Sequence, residues 1–157
     1  MALDQWCWLA TGAYGMHIAE EYALNWRDWA RSLSKVQVEW DFFLLTNALV
    51  IVLGVVCAEV ANSLPMIALS FPALMLINAT VFHVGAFVWT RGRFSPGLIT
   101  AVILFYPLGI WCFKSASDAG VLTPIRCLGS FALAMVFMAT PILLLKAKGA
   151  AYFQQNE

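Results

Sequence analysis

Long apolar runs broken by short polar stretches dominate this chain. A helix that crosses the hydrocarbon core of a bilayer needs about 20 mostly apolar residues. Segments 42–60, 65–89, 97–113 and 127–145 meet that requirement. A fifth, 3–26, is apolar from Trp6 to Ala19 apart from Thr11 and His17, and then meets Glu20 and Glu21. A signal peptide would open with a basic region and finish at a small-residue cleavage site. This segment opens Met-Ala-Leu-Asp and carries two acids at its far end, so it reads as a retained transmembrane helix. The alternative is a four-span protein whose first segment only lies on the membrane. Stretch 27–41 is polar, with apolar positions at a roughly helical period, and predicts an amphipathic loop lying at the interface. The pattern therefore predicts an all-α fold: a polytopic membrane helical bundle of about five transmembrane helices, one domain over 1–157.

Composition strengthens that reading. Hydrophobic residues make up 62% of the chain and charged residues 11%, against about 25% charged in soluble domains. The outer surface must itself be apolar, and the lipid bilayer is the first partner. Nine basic and nine acidic residues cancel, so no nucleic acid is expected as a partner, since phosphates demand a basic excess. The apolar content also excludes a disordered chain. The four cysteines are scattered without a CxxC pair and read as small core residues. Most of the tryptophans read as interfacial anchors.

Basic residues orient the spans, because cytoplasmic loops carry the Lys/Arg excess. With five spans, Arg27, Arg31, Lys35, Arg91, Arg93, Lys146 and Lys148 share one face, while Lys114 and Arg126 lie on the other. That tally predicts an outer N-terminus and a cytoplasmic C-terminus.

Ionisable residues inside spans are costly and usually face a bundle interior. At 100° per residue, Glu20 lies about 60° to one side of His17 and Glu21 about 40° to the other. All three thus leave one face of the first helix. With antiparallel neighbours, His17, Asn47, His83 and Thr100 each fall roughly 5 to 10 Å below the same cytoplasmic boundary. Both histidines of the chain then stand at one depth, while Glu59 sits at the opposite end of its span. Asn78 precedes His83 by five residues, about 140° around an ideal helix, so the two share a cavity only if it is wide or the helix is distorted. Ser95-Pro96-Gly97 reads first as a Ser N-cap followed by proline in the opening turn of the next helix. The dipole of that helix would point its positive end toward the carboxylates.

His17-x-x-Glu20-Glu21, the later Asn78 and His83, and Ser95-Pro96-Gly97 together resemble the family of small bacterial integral membrane proteins named for an HXXEE motif. The match covers most of the chain in order and spacing. It implies a multi-pass protein of the bacterial inner membrane with a site at these residues, and says little about the reaction. Where family members often follow the histidine with Asn, this chain has Ile18.

Two chemistries suit the cluster. Neighbouring Glu20 and Glu21 do not both ionise cheaply, which sets an acid beside a base, suited to isomerising, cyclising or hydrolysing a hydrophobic small molecule. Alternatively His17, Glu20, Glu21 and His83 bind a divalent metal such as Zn or Fe, as helical i, i+3 and i, i+4 spacings allow. In either case Glu20, Glu21, His17 and His83 are the catalytic candidates, with Asn47, Asn78, Ser95 and Thr100 as substrate contacts. A metal-ion or proton-coupled transporter is the alternative from another class. The bland reading is a span end whose acids and histidine reach the headgroups. Oligomeric state has no signature in the sequence.

Overall fold

A computed structural model describes residues 1–33 and 38–148. Lys35 and Val36, part of the expected interfacial stretch, lie outside the described residues. Six helices and no strand occur among those described. They are α1 (Leu3–Ala23), α2 (Trp26–Leu33), α3 (Trp40–Glu59), α4 (Pro65–Trp89), α5 (Leu98–Asp118) and α6 (Pro124–Lys148). Four stretches, α3, α4, α5 and Pro124–Pro141 of α6, are long and apolar enough to cross a membrane. The protein is an all-α membrane bundle.

Helix α1 has 21 residues, about 31 Å at 1.5 Å rise, and packs along α3, α4 and α5. It ends at Ala23 rather than at the expected 26, because Asn25 adopts φ 59° and turns the chain. The left-handed region is tolerated by Asn more readily than by most residues. Helix α2 follows at once, and its Arg27 guanidinium lies over the Trp40 ring, 5.4 Å from the centroid. The Asn25 amide and the Arg27 guanidinium hold the exposed Asp28 carboxyl below the ordinary carboxylate range. The last two spans run further than their hydropathy predicts, to Asp118 and from Pro124 to Lys148.

The most buried span is α4, which touches α1, α3, α5 and α6. Phe71, Ala73, Leu74 and Met75 are its core face. Small buried residues, Ala10 and Ala13 on α1 and Ala58 on α3, accompany the packing of these two helices. Small interfaces let membrane helices approach closely, where lipid offers no hydrophobic driving force. Cys7, Cys57 and Cys112 are buried free thiols in the same core. On the outside, Leu45, Leu49, Val52 and Val56 of α3 and Leu128, Met135 and Val136 of α6 are exposed, as a lipid-facing surface requires.

Two spans contain a widened turn. Asn78–Val84 in α4 and Ala101–Phe105 in α5 are π-helical. Gly85 N–H donates back to the Thr80 carbonyl and Tyr106 N–H to the Ala101 carbonyl, each five residues earlier. Gly85 suits its place: a Cβ there would lie 2.9 Å from the Thr80 carbonyl oxygen. In α5 the next residue is Pro107, which has no N–H for the Ile103 carbonyl. Such π-bulges often mark functional sites.

Packing gives a paired prediction. A Cβ on Gly54 would meet Thr11 Oγ1 at 2.7 Å and Phe71 Cζ at 2.9 Å, whereas one on Gly12 meets nothing within 4 Å. Thermal unfolding in detergent should show Gly54→Val destabilised by about 1–3 kcal/mol through overpacking. Gly12→Ala should be neutral or stabilised by up to about 1 kcal/mol through helix propensity.

Candidate functional site

The two acids of α1 leave it in different directions and meet different partners. Glu20 reaches the start of α5. Its Oε1 accepts the N–H groups of Gly97 (3.0 Å) and Ile99 (3.2 Å), and its Oε2 accepts the Thr100 N–H (2.8 Å) and the Thr100 hydroxyl (2.6 Å). The first N–H groups of a helix have no partner within it, and a carboxylate complements both these donors and the dipole.

The approach to α5 differs from a simple Ser cap. Leu98 N–H donates to the Ser95 carbonyl at 2.9 Å, and Gly97 has φ 93°, ψ −11°. Ser95–Leu98 is therefore a type II turn, with proline and glycine at the two central positions that suit them. Its helix begins at Leu98, and the Ser95 hydroxyl faces His83 Nδ1 at 3.1 Å instead of capping it. No Cβ fits on Gly97: it would lie 2.6 Å from His83 Cε1, 2.7 Å from His17 Cε1 and 3.0 Å from Glu21 Cγ. Positive φ and close approach both call for glycine here.

Glu21 turns the other way, between the two histidines. Its Oε1 is 3.6 Å from His17 Nε2 and 3.7 Å from His83 Nε2. The ring centroids are 4.7 Å apart and the planes nearly perpendicular, at 87°. His17, His83 and Glu21 are all buried. No Lys or Arg pairs with Glu20 or Glu21 among the described residues, Arg91 and Arg93 included.

Tautomers follow from the hydroxyls. The Thr100 hydroxyl donates to Glu20 Oε2, and its oxygen stands 2.8 Å from His17 Nδ1, so we assign the proton of that ring to Nδ1, with Thr100 as its acceptor. The Ser95 hydroxyl donates to the Pro96 carbonyl at 3.4 Å and its oxygen stands 3.1 Å from His83 Nδ1, so we assign the proton of that ring to Nδ1 as well. Both Nε2 atoms then present lone pairs toward Glu21. That of His17 is buried without any hydrogen-bond partner.

A cavity of about 230 Å³ opens beside the cluster, lined by Glu21, His83, Tyr14, Asn47 and Asn78 together with Phe42, Phe43 and Phe82. The widened turn of α4 explains how Asn78 and His83 share this wall although an ideal helix would part them: a longer turn brings residues five apart toward one side. Asn47 also donates to the Phe43 carbonyl at 3.0 Å. Ser95 and Thr100 do not line the cavity; they stand behind the histidine rings. Toward the membrane interior, Tyr14 stacks on Phe105 (5.3 Å) and tilts against Phe71 (5.7 Å), and Phe105 lies 4.4 Å from His17. These rings floor the site. Tyr14 belongs to it without any motif announcing it. Its position three residues before His17 and seven before Glu21 sets it on the same helical face.

A family model described as a protein of unknown function with an HXXEE motif matches residues 8–112. The chain belongs to this HXXEE family. The matched stretch holds the motif, both histidines and the Ser95–Thr100 turn. No curated protein and no solved structure matches the chain.

In this HXXEE protein the two adjacent acids should differ in what their loss does. Glu20→Ala strips a charged acceptor from backbone donors and should lower stability by about 1.5–3 kcal/mol. With a chelator present, Glu21→Gln exchanges a buried carboxyl that has no Lys or Arg partner for an isosteric amide and should leave stability unchanged or raised. Thermal unfolding of both variants in one detergent checks the contrast, and equal losses would contradict it.

Proposed function

We propose that this protein is an intramembrane enzyme that acts on a hydrophobic small molecule at Glu21 and His83. One observation carries the reading: a carboxyl group and an imidazole stand on the wall of an otherwise neutral, largely apolar cavity, backed by a second buried imidazole. Glu21 is the proton-transferring group. His83 is its partner on the cavity wall, and His17 supports Glu21 from behind. Asn47 and Asn78 supply amide groups to orient a polar atom of the substrate, while Phe42, Phe43 and Phe82 receive its apolar part. Proton transfer of this kind fits an isomerisation, cyclisation or hydrolysis. Glu20, Ser95 and Thr100 are positioning residues, acting through the turn and the histidine rings.

The aromatic floor of Tyr14, Phe71 and Phe105 favours a pocket over a transport path, since a path would have to pass it. We further propose that the site faces the cytoplasm of a bacterial inner membrane, with the N-terminus outside. Alternation of the spans along the sequence assigns seven of the nine basic residues to the face nearest the site, as the positive-inside rule would have them.

The test is conversion of a lipophilic compound. Purified protein is incubated with organic extract of the membranes in which it is made, and the extract is compared by mass spectrometry. Wild type should produce a new species, and Glu21→Gln and His83→Ala should slow its formation by about 10²-fold or more. Undiminished turnover in folded Glu21→Gln, or no change with wild type in any extract, would contradict the proposal.

A further inference from the structure

We propose that His17, Glu21 and His83 hold a single divalent transition-metal ion, of the zinc or iron(II) class, with an open coordination position facing the cavity. The inference stands on the geometry of the three side chains and not on the enzymatic reading; Glu21 would ligate through Oε1, the oxygen nearest both rings, which leaves Oε2 for the proton transfer proposed above.

Spacing is the first support. One potential ligand atom from each of the three lies within 4.8 Å of the others. The contacts of 3.6 and 3.7 Å from Glu21 to the two Nε2 atoms are too long for hydrogen bonds. They match a ligand set around an ion instead: metal–ligand distances of about 2.0–2.2 Å put tetrahedral donor atoms roughly 3.4 Å apart.

Donor chemistry is the second. His17 Nε2 is buried and has no hydrogen-bond partner, a condition that costs about 1–3 kcal/mol when nothing satisfies the group. Thr100 and Ser95 hydroxyls stand at the Nδ1 atoms, 2.8 and 3.1 Å away, placed to receive a proton from each ring and leave Nε2 free. Metal-binding histidines are commonly oriented in this way, with the other ring nitrogen donating to a fixed acceptor. Glu20 extends the chain through Thr100. It is itself committed to backbone donors, so the ligand set has three members and not the four that the motif suggests.

Charge and shape complete the case. Glu21 is buried, yet no Lys or Arg pairs with it among the described residues. Two imidazoles and one carboxylate favour zinc or iron over magnesium or calcium, which prefer all-oxygen sites. Gly97 closes the side toward the turn. Glu21 and His83 line the cavity on the other side, leaving room there for water or substrate.

The full chain, purified in detergent through a tag without histidine, should contain about one zinc or iron per chain by elemental analysis. His17→Ala and Glu21→Gln should each lower that content at least tenfold. Thr100→Val keeps all three ligands and loses only the orienting hydroxyl, so chelator competition should show about 10–100-fold weaker binding. Metal-stripped wild type titrated with Co²⁺ should develop visible d–d absorption and a raised melting temperature, neither of which Glu21→Gln shows. Wild type that stays metal-free and gives no Co²⁺ spectrum overturns the inference. So does folded Glu21→Gln that binds as wild type does. Wild type that converts the extract but binds neither zinc, iron nor Co²⁺ overturns it while leaving the enzymatic reading intact, and metal binding without conversion does the reverse.

Discussion

The carboxylate of Glu20, held by three backbone N–H groups and one hydroxyl at the start of α5, is the interaction on which the site depends. A helix that begins below the membrane surface exposes N–H groups that lipid cannot satisfy. An acid from the neighbouring helix is an economical answer, since it meets the donors and the positive end of the dipole together. The same contact fastens α1 to α5. It thereby fixes the turn of Ser95–Leu98 against both histidines, and Thr100 is shared between Glu20 and His17.

From that anchor the HXXEE motif divides its labour. Glu20 and Glu21 are about 100° apart on the helix, far enough to serve two neighbours. Glu20 is committed to the fold, whereas Glu21 stands beside His83 on the cavity wall and has no structural partner of comparable strength. Such a division accounts for two adjacent acids within a span, where each is expensive. The π segment of α4 serves the same end by bringing Asn78 to the cavity wall that holds His83.

Much of this was legible in the sequence. Apolar runs place the spans to within a few residues, and alternation of antiparallel helices brings His17 and His83 to one level. What remained hidden depends on neighbours. The motif is nearly symmetric about His17, so no periodicity could say that Glu20 faces a helix start and Glu21 a second histidine. Ser95-Pro96-Gly97 suits a helix cap and a type II turn alike; the left-handed Gly97 and the crowding of two rings against it decide the matter. Widened turns leave only indirect marks, here Gly85 and Pro107, both with innocent readings in a membrane helix.

The central claim is that the Ser95–Thr100 segment holds both imidazoles with protonated Nδ1 and with Nε2 turned to Glu21. Solid-state ¹⁵N NMR of histidine-labelled protein in lipid bilayers tests it most directly, because the chain has only two histidines. At neutral pH both rings should show a protonated Nδ1 and an unprotonated Nε2, with Thr100→Val altering the His17 signals. A proton on Nε2 of either ring, or a doubly protonated ring, would contradict the arrangement.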